Sequence, residues 1–150
     1  MRAKLFSAAL LVLFSSLFLA FGEARAHAGD MKLEIQLVWG TNDAGTKKYQ
    51  PVEDEVLRKL RELPLKWTNY FLVNSLQLTV PESQTKKEPL SDKCSIELTN
   101  LGHSQVQISL YGKGEHVVKR TQQLVKGEIV VLGGNAPNST AWLIVIKRLE

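Results

Sequence analysis

Apolar and polar positions alternate with a period of two through most of this chain, which predicts strands half-buried against a core. The cleanest case is Lys32 to Trp39, where Leu33, Ile35, Leu37 and Trp39 share one face. Leu76, Leu78 and Val80 alternate before Pro81; Cys94, Ile96 and Leu98 do so within Lys93 to Thr99, and Val106, Ile108 and Leu110 within Gln105 to Tyr111. The aromatic-rich stretch Lys66 to Val73 reads as a strand leading into Leu76 to Val80, Glu82 to Lys87 as a loop, Leu90 as the seed of a short edge strand, and His116 to Leu124 as the least regular strand. Asn100-Leu101-Gly102 and Gly112-Lys113-Gly114 carry hairpin-turn chemistry.

The segment around which the rest is arranged is Gly127 to Lys147. Its two apolar runs, Ile129 to Leu132 and Trp142 to Ile146, are rich in β-branched residues and do not alternate, which predicts a ribbon covered on both faces. The residues between them, Gly133 to Ala141, are too few for a parallel crossover, so the pair is expected to be antiparallel.

A different period marks one helix. Pro51 suits a first helical position, Glu53, Asp54 and Glu55 crowd the first turn, and Arg58, Lys59 and Arg61 follow, an order that complements the helix dipole. Val52, Val56, Leu57, Leu60 and Leu63 make an apolar stripe for packing on a sheet, and Pro64 ends it. About eight strands and one helix predict an antiparallel β-sandwich, with a small β-barrel as the alternative.

The first 26 residues stand apart. Arg2 and Lys4 precede a nearly continuous apolar run from Leu5 to Phe21, and Ala24-Arg25-Ala26 supplies a small-x-small cleavage pattern. This reads as a signal peptide over 1–26, with an uncleaved signal anchor or cleavage after Ala28 as alternatives. A single domain over 27–150 follows, periplasmic or secreted, with no other segment long enough to span a membrane as a helix. Without the leader, 19 basic and 15 acidic residues become 16 and 14, so the balance gives no case for nucleic acid. The one cysteine, Cys94, forms no internal disulfide and reads as a small buried side chain.

Chemistry-bearing patterns are sparse. No Gly-x-Ser-x-Gly, His-Glu-x-x-His or phosphate-loop motif occurs, and an enzyme is not expected. If cleavage follows Ala26, His27 begins the mature chain, and its α-amino group and imidazole resemble the chelate of histidine-brace copper proteins, for which His103 and His116 are the available second imidazoles. Trp39, Trp67, Tyr70, Phe71, Tyr111 and Trp142 are mainly expected in the core. Trp67 and Tyr70 are the pair best placed to face a carbohydrate or peptide.

The segments Leu65-Lys66-Trp67-Thr68-Asn69-Tyr70-Phe71, Leu90-Ser91-Asp92-Lys93-Cys94 and Lys126 to Asn135 resemble small exported bacterial proteins with no assigned activity. The resemblance implies bacterial export and supplies no catalytic residue or cofactor. The leading expectation is an exported, non-catalytic sandwich acting by binding or structural association with an unknown protein or glycan partner, through an edge such as Leu76 to Val80 or the Leu90 segment. Copper binding at His27 and ligand binding at Trp67 and Tyr70 are the alternatives.

Overall fold

In the computed structural model, which describes residues 27–45, 48–136 and 139–150, the strand with the clearest alternation lies at the centre of a sheet. This is β1 (Met31–Thr41), joined on one side by β3 (Asn69–Val80) and on the other by β9 (Thr140–Arg148). β2 (Gln50–Pro51) adds two residues outside β3, and β8 (Ile129–Ala136) lies outside β9, giving the order β2-β3-β1-β9-β8. A second sheet has the order β4-β5-β6-β7, with β4 (Thr85–Pro89), β5 (Cys94–Gly102), β6 (Gln105–Gly112) and β7 (Glu115–Gln123). Every pairing is antiparallel. Among the described residues no strand is shared between the sheets, so the fold is a β-sandwich and the barrel alternative falls.

The period of two explains the main core. Leu33, Ile35 and Leu37 of β1, with Ile144 and Ile146 of β9, meet Ile96, Leu98, Val106 and Ile108 of the second sheet. Each such side chain contributes roughly 1.5–3 kcal/mol by leaving water. The opposite face of the five-stranded sheet is covered by α1 (Asp54–Glu62), whose Val56 and Leu60 pack with Val38, Leu143 and Val145. Layers on both sides of β9 account for its uninterrupted apolar run. The expectation of a doubly covered antiparallel ribbon therefore holds, although β8 is an edge strand rather than a central one.

Several boundaries differ from the sequence reading. Pro51 is not the first helical residue: it pairs with Phe71 in β2, and the helix starts three residues later, after Glu53 in extended conformation. β3 is one continuous strand from Asn69, with a register shift that leaves Val73 as an extra residue opposite Leu37/Val38. Residues 85–87, expected in a loop, belong to β4, and Leu90 is buried just beyond that strand. Gly133, Gly134, Thr140 and Ala141 are strand residues, so the last connection is much shorter than its turn-forming composition suggests. The first hairpin turn lies beyond the expected Asn100-Leu101-Gly102, which belongs to β5, and is formed by His103 and Ser104 (φ 50° and 63°), whereas Lys113 and Gly114 (φ 52° and 83°) fall within the second expected stretch; both are left-handed pairs, as tight two-residue hairpins require. The signal-peptide segment lies outside the described residues.

Candidate functional site

The two sheets do not close over one another along the flank where β7 and β8 lie. A cleft of about 590 Å³ opens there, with Leu110, Val117 and Val118 on one wall and Leu132, Trp142 and Ile144 on the other. Its lining is mainly apolar, which suits a partner that brings its own apolar side chains.

Each wall has a local cause. On β7 the register slips between Leu110/Tyr111 and Val118/His116, leaving Val117 as an unpaired bulge residue. A bulge re-aims side chains and breaks alternation, so the neighbours Val117 and Val118 both reach the cleft, and Val117 is 66% exposed. On β8 the glycine pair leaves the sheet bare. Trp142 of β9 sits opposite Gly134, which has no side chain to cover it, and stays 44% exposed. Gly133 and Gly134 are not equivalent: a Cβ on Gly133 would run into the Leu143 side chain, whereas one on Gly134 would meet nothing within 4 Å.

Near the β6–β7 turn the outer face of the second sheet carries aromatic and charged contacts, because Tyr111 follows the inward-facing Leu110 and Lys87 lies opposite Glu97, between the inward Ile96 and Leu98. Tyr111 stacks edge-on with His116 at 5.4 Å, and Lys87 Nζ lies 4.3 Å from the Tyr111 ring centre. Cys94 lines the cleft, half-buried, and burial raises its thiol pKa, which favours an inert thiol over a nucleophile.

The residues singled out from sequence are placed elsewhere. Tyr70 is only 4% exposed; it packs under α1 and donates its hydroxyl hydrogen to the Trp67 carbonyl oxygen at 3.0 Å. Burial raises its phenol pKa against the opposing pull of Arg61. Trp67 is half-buried and donates Nε1–H to the Ser139 carbonyl oxygen at 2.7 Å, tying the segment before β3 to the β8–β9 turn. Both rings lie over Gly40, within 3.5 Å of where a Cβ would be, so they serve as packing against β1. The exposure order expected of the aromatics is thus reversed: Trp142 faces solvent and Tyr70 does not.

His27 is exposed, and its backbone N–H donates to Asp30 Oδ2 at 3.1 Å. His103 sits in the β5–β6 turn and His116 beside the β6–β7 turn, at opposite ends of β6, so only His103 lies at the end of the sandwich where β1 begins. Among the described residues, no three His, Cys, Asp or Glu side chains are grouped to hold a metal, and no helix is long and apolar enough to cross a membrane.

The cleft itself was not singled out from sequence, although its signals are there. Adjacent valines in an otherwise alternating strand mark a bulge, and paired glycines in a strand mark a bare patch or a close approach. No family model, no curated protein and no solved structure matches the chain, so the geometry of this flank carries the functional reading.

Proposed function

We propose that this is an exported, non-catalytic β-sandwich domain that acts by binding, taking an extended, apolar-faced segment of a protein partner along the β7–β8 flank. The observation that carries the reading is the cleft between the sheets, mainly apolar on both walls with Arg120 of β7 among its lining, and bounded by two edge strands. An extended peptide satisfies such a site in two ways: alternate side chains enter the cleft while backbone groups pair with a free edge. Trp142 supplies the large, rigid contact on which binding energy is commonly concentrated. The leader pattern at residues 1–26 supports export.

The test is selection of extended peptides of about eight residues from a displayed random library, a length close to that of one strand. Enriched sequences should alternate apolar and polar residues, and binding should fall at least tenfold in Val117→Asp and in Trp142→Ala. Both positions are exposed enough for the sandwich to tolerate the change. Binders unaffected by both substitutions, or turnover of a substrate that one polar replacement abolishes, would remove this reading.

A further inference from the structure

Sheet edges are normally protected against pairing, and two of the edges here are. β4 carries Lys86, Lys87, Glu88 and Pro89, and β7 carries Glu115, His116, Lys119, Arg120 and the Val117 bulge. β2 contributes only two residues and ends in Pro51. Beyond β2, the outer side of β3 is open over Ser75 to Val80, where an edge was expected, but the Ser75 N–H is already bonded to Asn74 Oδ1 at 2.9 Å and Pro81 closes the end.

β8 has none of these devices. Ile129-Val130-Val131-Leu132-Gly133-Gly134-Asn135-Ala136 contains no charge and no proline, and its register with β9 is unbroken. The direction of its backbone groups follows from the start of the ladder. Arg148 N–H donates to the Glu128 carbonyl at 3.1 Å and the Arg148 carbonyl accepts from the Gly127 N–H at 2.9 Å, so the backbone groups of Arg148 face β8 and the ladder starts with Gly127 and Glu128 both opposite Arg148. By alternation, Val130, Leu132 and Gly134 then bond to β9, while the N–H and C=O groups of Ile129, Val131 and Gly133 point away from the sheet.

Resting on the reading that this flank binds a protein strand, we infer that the strand which pairs with β8 is β8 of a second copy of this chain, antiparallel and in the register that places Leu132 on a twofold axis. The sequence of the strand is complementary to itself in that register. Val130 stands opposite Gly134 of the other copy, and Val131 opposite Gly133, so each β-branched side chain meets a bare position. Val131 and Gly133 both have outward backbone groups, so the two symmetric pairs close four hydrogen bonds. Val130, Gly134 and Trp142 project from the same face of the sheet, so Val130 of the second copy covers the gap beside Gly134 that leaves Trp142 in solvent. The result is a continuous ten-stranded sheet made from two five-stranded ones, with the isologous contact expected of a twofold dimer.

Sedimentation equilibrium of the full chain expressed with export, its N-terminus fixed by mass spectrometry, should give twice the chain mass, with residue-resolved exchange showing the Val131 and Gly133 amides more protected as concentration rises. Gly134→Arg introduces bulk and charge where the isolated chain has open space. It should weaken association at least tenfold while leaving the circular dichroism unchanged and removing the rise of melting temperature with protein concentration that the dimer shows. Val131→Pro is the second variant: it removes an N–H that β9 does not use, and should also give the monomer. A wild-type chain that stays monomeric, or a dimer that survives both substitutions, overturns the inference. If the monomer still captures displayed peptides through Val117 and Trp142, self-pairing fails while the binding reading stands.

Discussion

Asn100→Ala is expected to be among the most damaging polar substitutions in this protein. Asn100 is fully buried on β5, where the strand bulges before the β5–β6 turn. Its Nδ2 donates to the Gly29 carbonyl at 2.8 Å and to the Val80 carbonyl at 2.9 Å, and its Oδ1 accepts from the Gly102 N–H at 2.9 Å. One side chain thus ties the lead into β1, the end of β3 and the bulge of β5 at a single point between the sheets. Alanine leaves two buried groups without this partner and a third partly wet, at roughly 1–3 kcal/mol for each buried group. The sum is about 3–5 kcal/mol, or a melting temperature lower by roughly 12–20 °C in a domain of this size. Urea unfolding followed by circular dichroism measures this directly, with a lower midpoint and an unchanged m-value expected. Asn100→Asp is the informative companion. It keeps the acceptor and the shape but sets a carboxylate against two carbonyl oxygens, so it should be at least as destabilised at neutral pH and recover partly when acid protonates it. An alanine variant within about 0.5 kcal/mol of wild type, the range of an ordinary surface substitution, would refute the account of this contact.

Three further outcomes follow from local geometry. Gly133→Ala should lose about 1–3 kcal/mol, because its Cβ is driven into Leu143 and comes within 3.1 Å of the Trp142 carbonyl oxygen, whereas Gly134→Ala should be neutral or slightly stabilising; equal effects in thermal melts would contradict this. Cys94 should react with iodoacetamide more slowly at pH 8 than an unhindered thiol and accelerate at higher pH, since burial raises its pKa; reaction at the free-thiol rate would show the cleft to be wetter than described. Lys147 donates a hydrogen bond to Glu55 that joins β9 to the helix and raises the lysine pKa. A raised lysine pKa means this contribution is complete below the unfolded value of about 10.4 and is lost as pH climbs through the higher folded value. The stability difference between wild type and Glu55→Gln should therefore stay under ~1 kcal/mol, hold level from pH 7 to pH 9 and vanish in strong alkali; a difference that grows with pH would reverse the assignment.

The sequence alone determined the elements that depend on neighbours a few residues away. Alternation in Lys32 to Trp39, Lys93 to Thr99 and Gln105 to Tyr111 sets which side chains face inward, and the charge order of Glu53 to Arg61 marks the helix, because both signals arise from the repeat geometry of a single element. The unbroken apolar run Trp142 to Ile146 even revealed that one strand is covered on both faces. What only the tertiary structure decided is where strands end and which edges remain open. Pro51 is compatible with a helix start until Phe71 pairs with it, and Gly133-Gly134 reads as a turn until Leu143 and Trp142 lie beside it. The same holds for the cleft. Whether Trp142 or Tyr70 meets solvent depends on the residue placed across the sheet, a bare Gly134 in one case and the helix layer in the other, and those neighbours are joined by folding and not by adjacency along the chain.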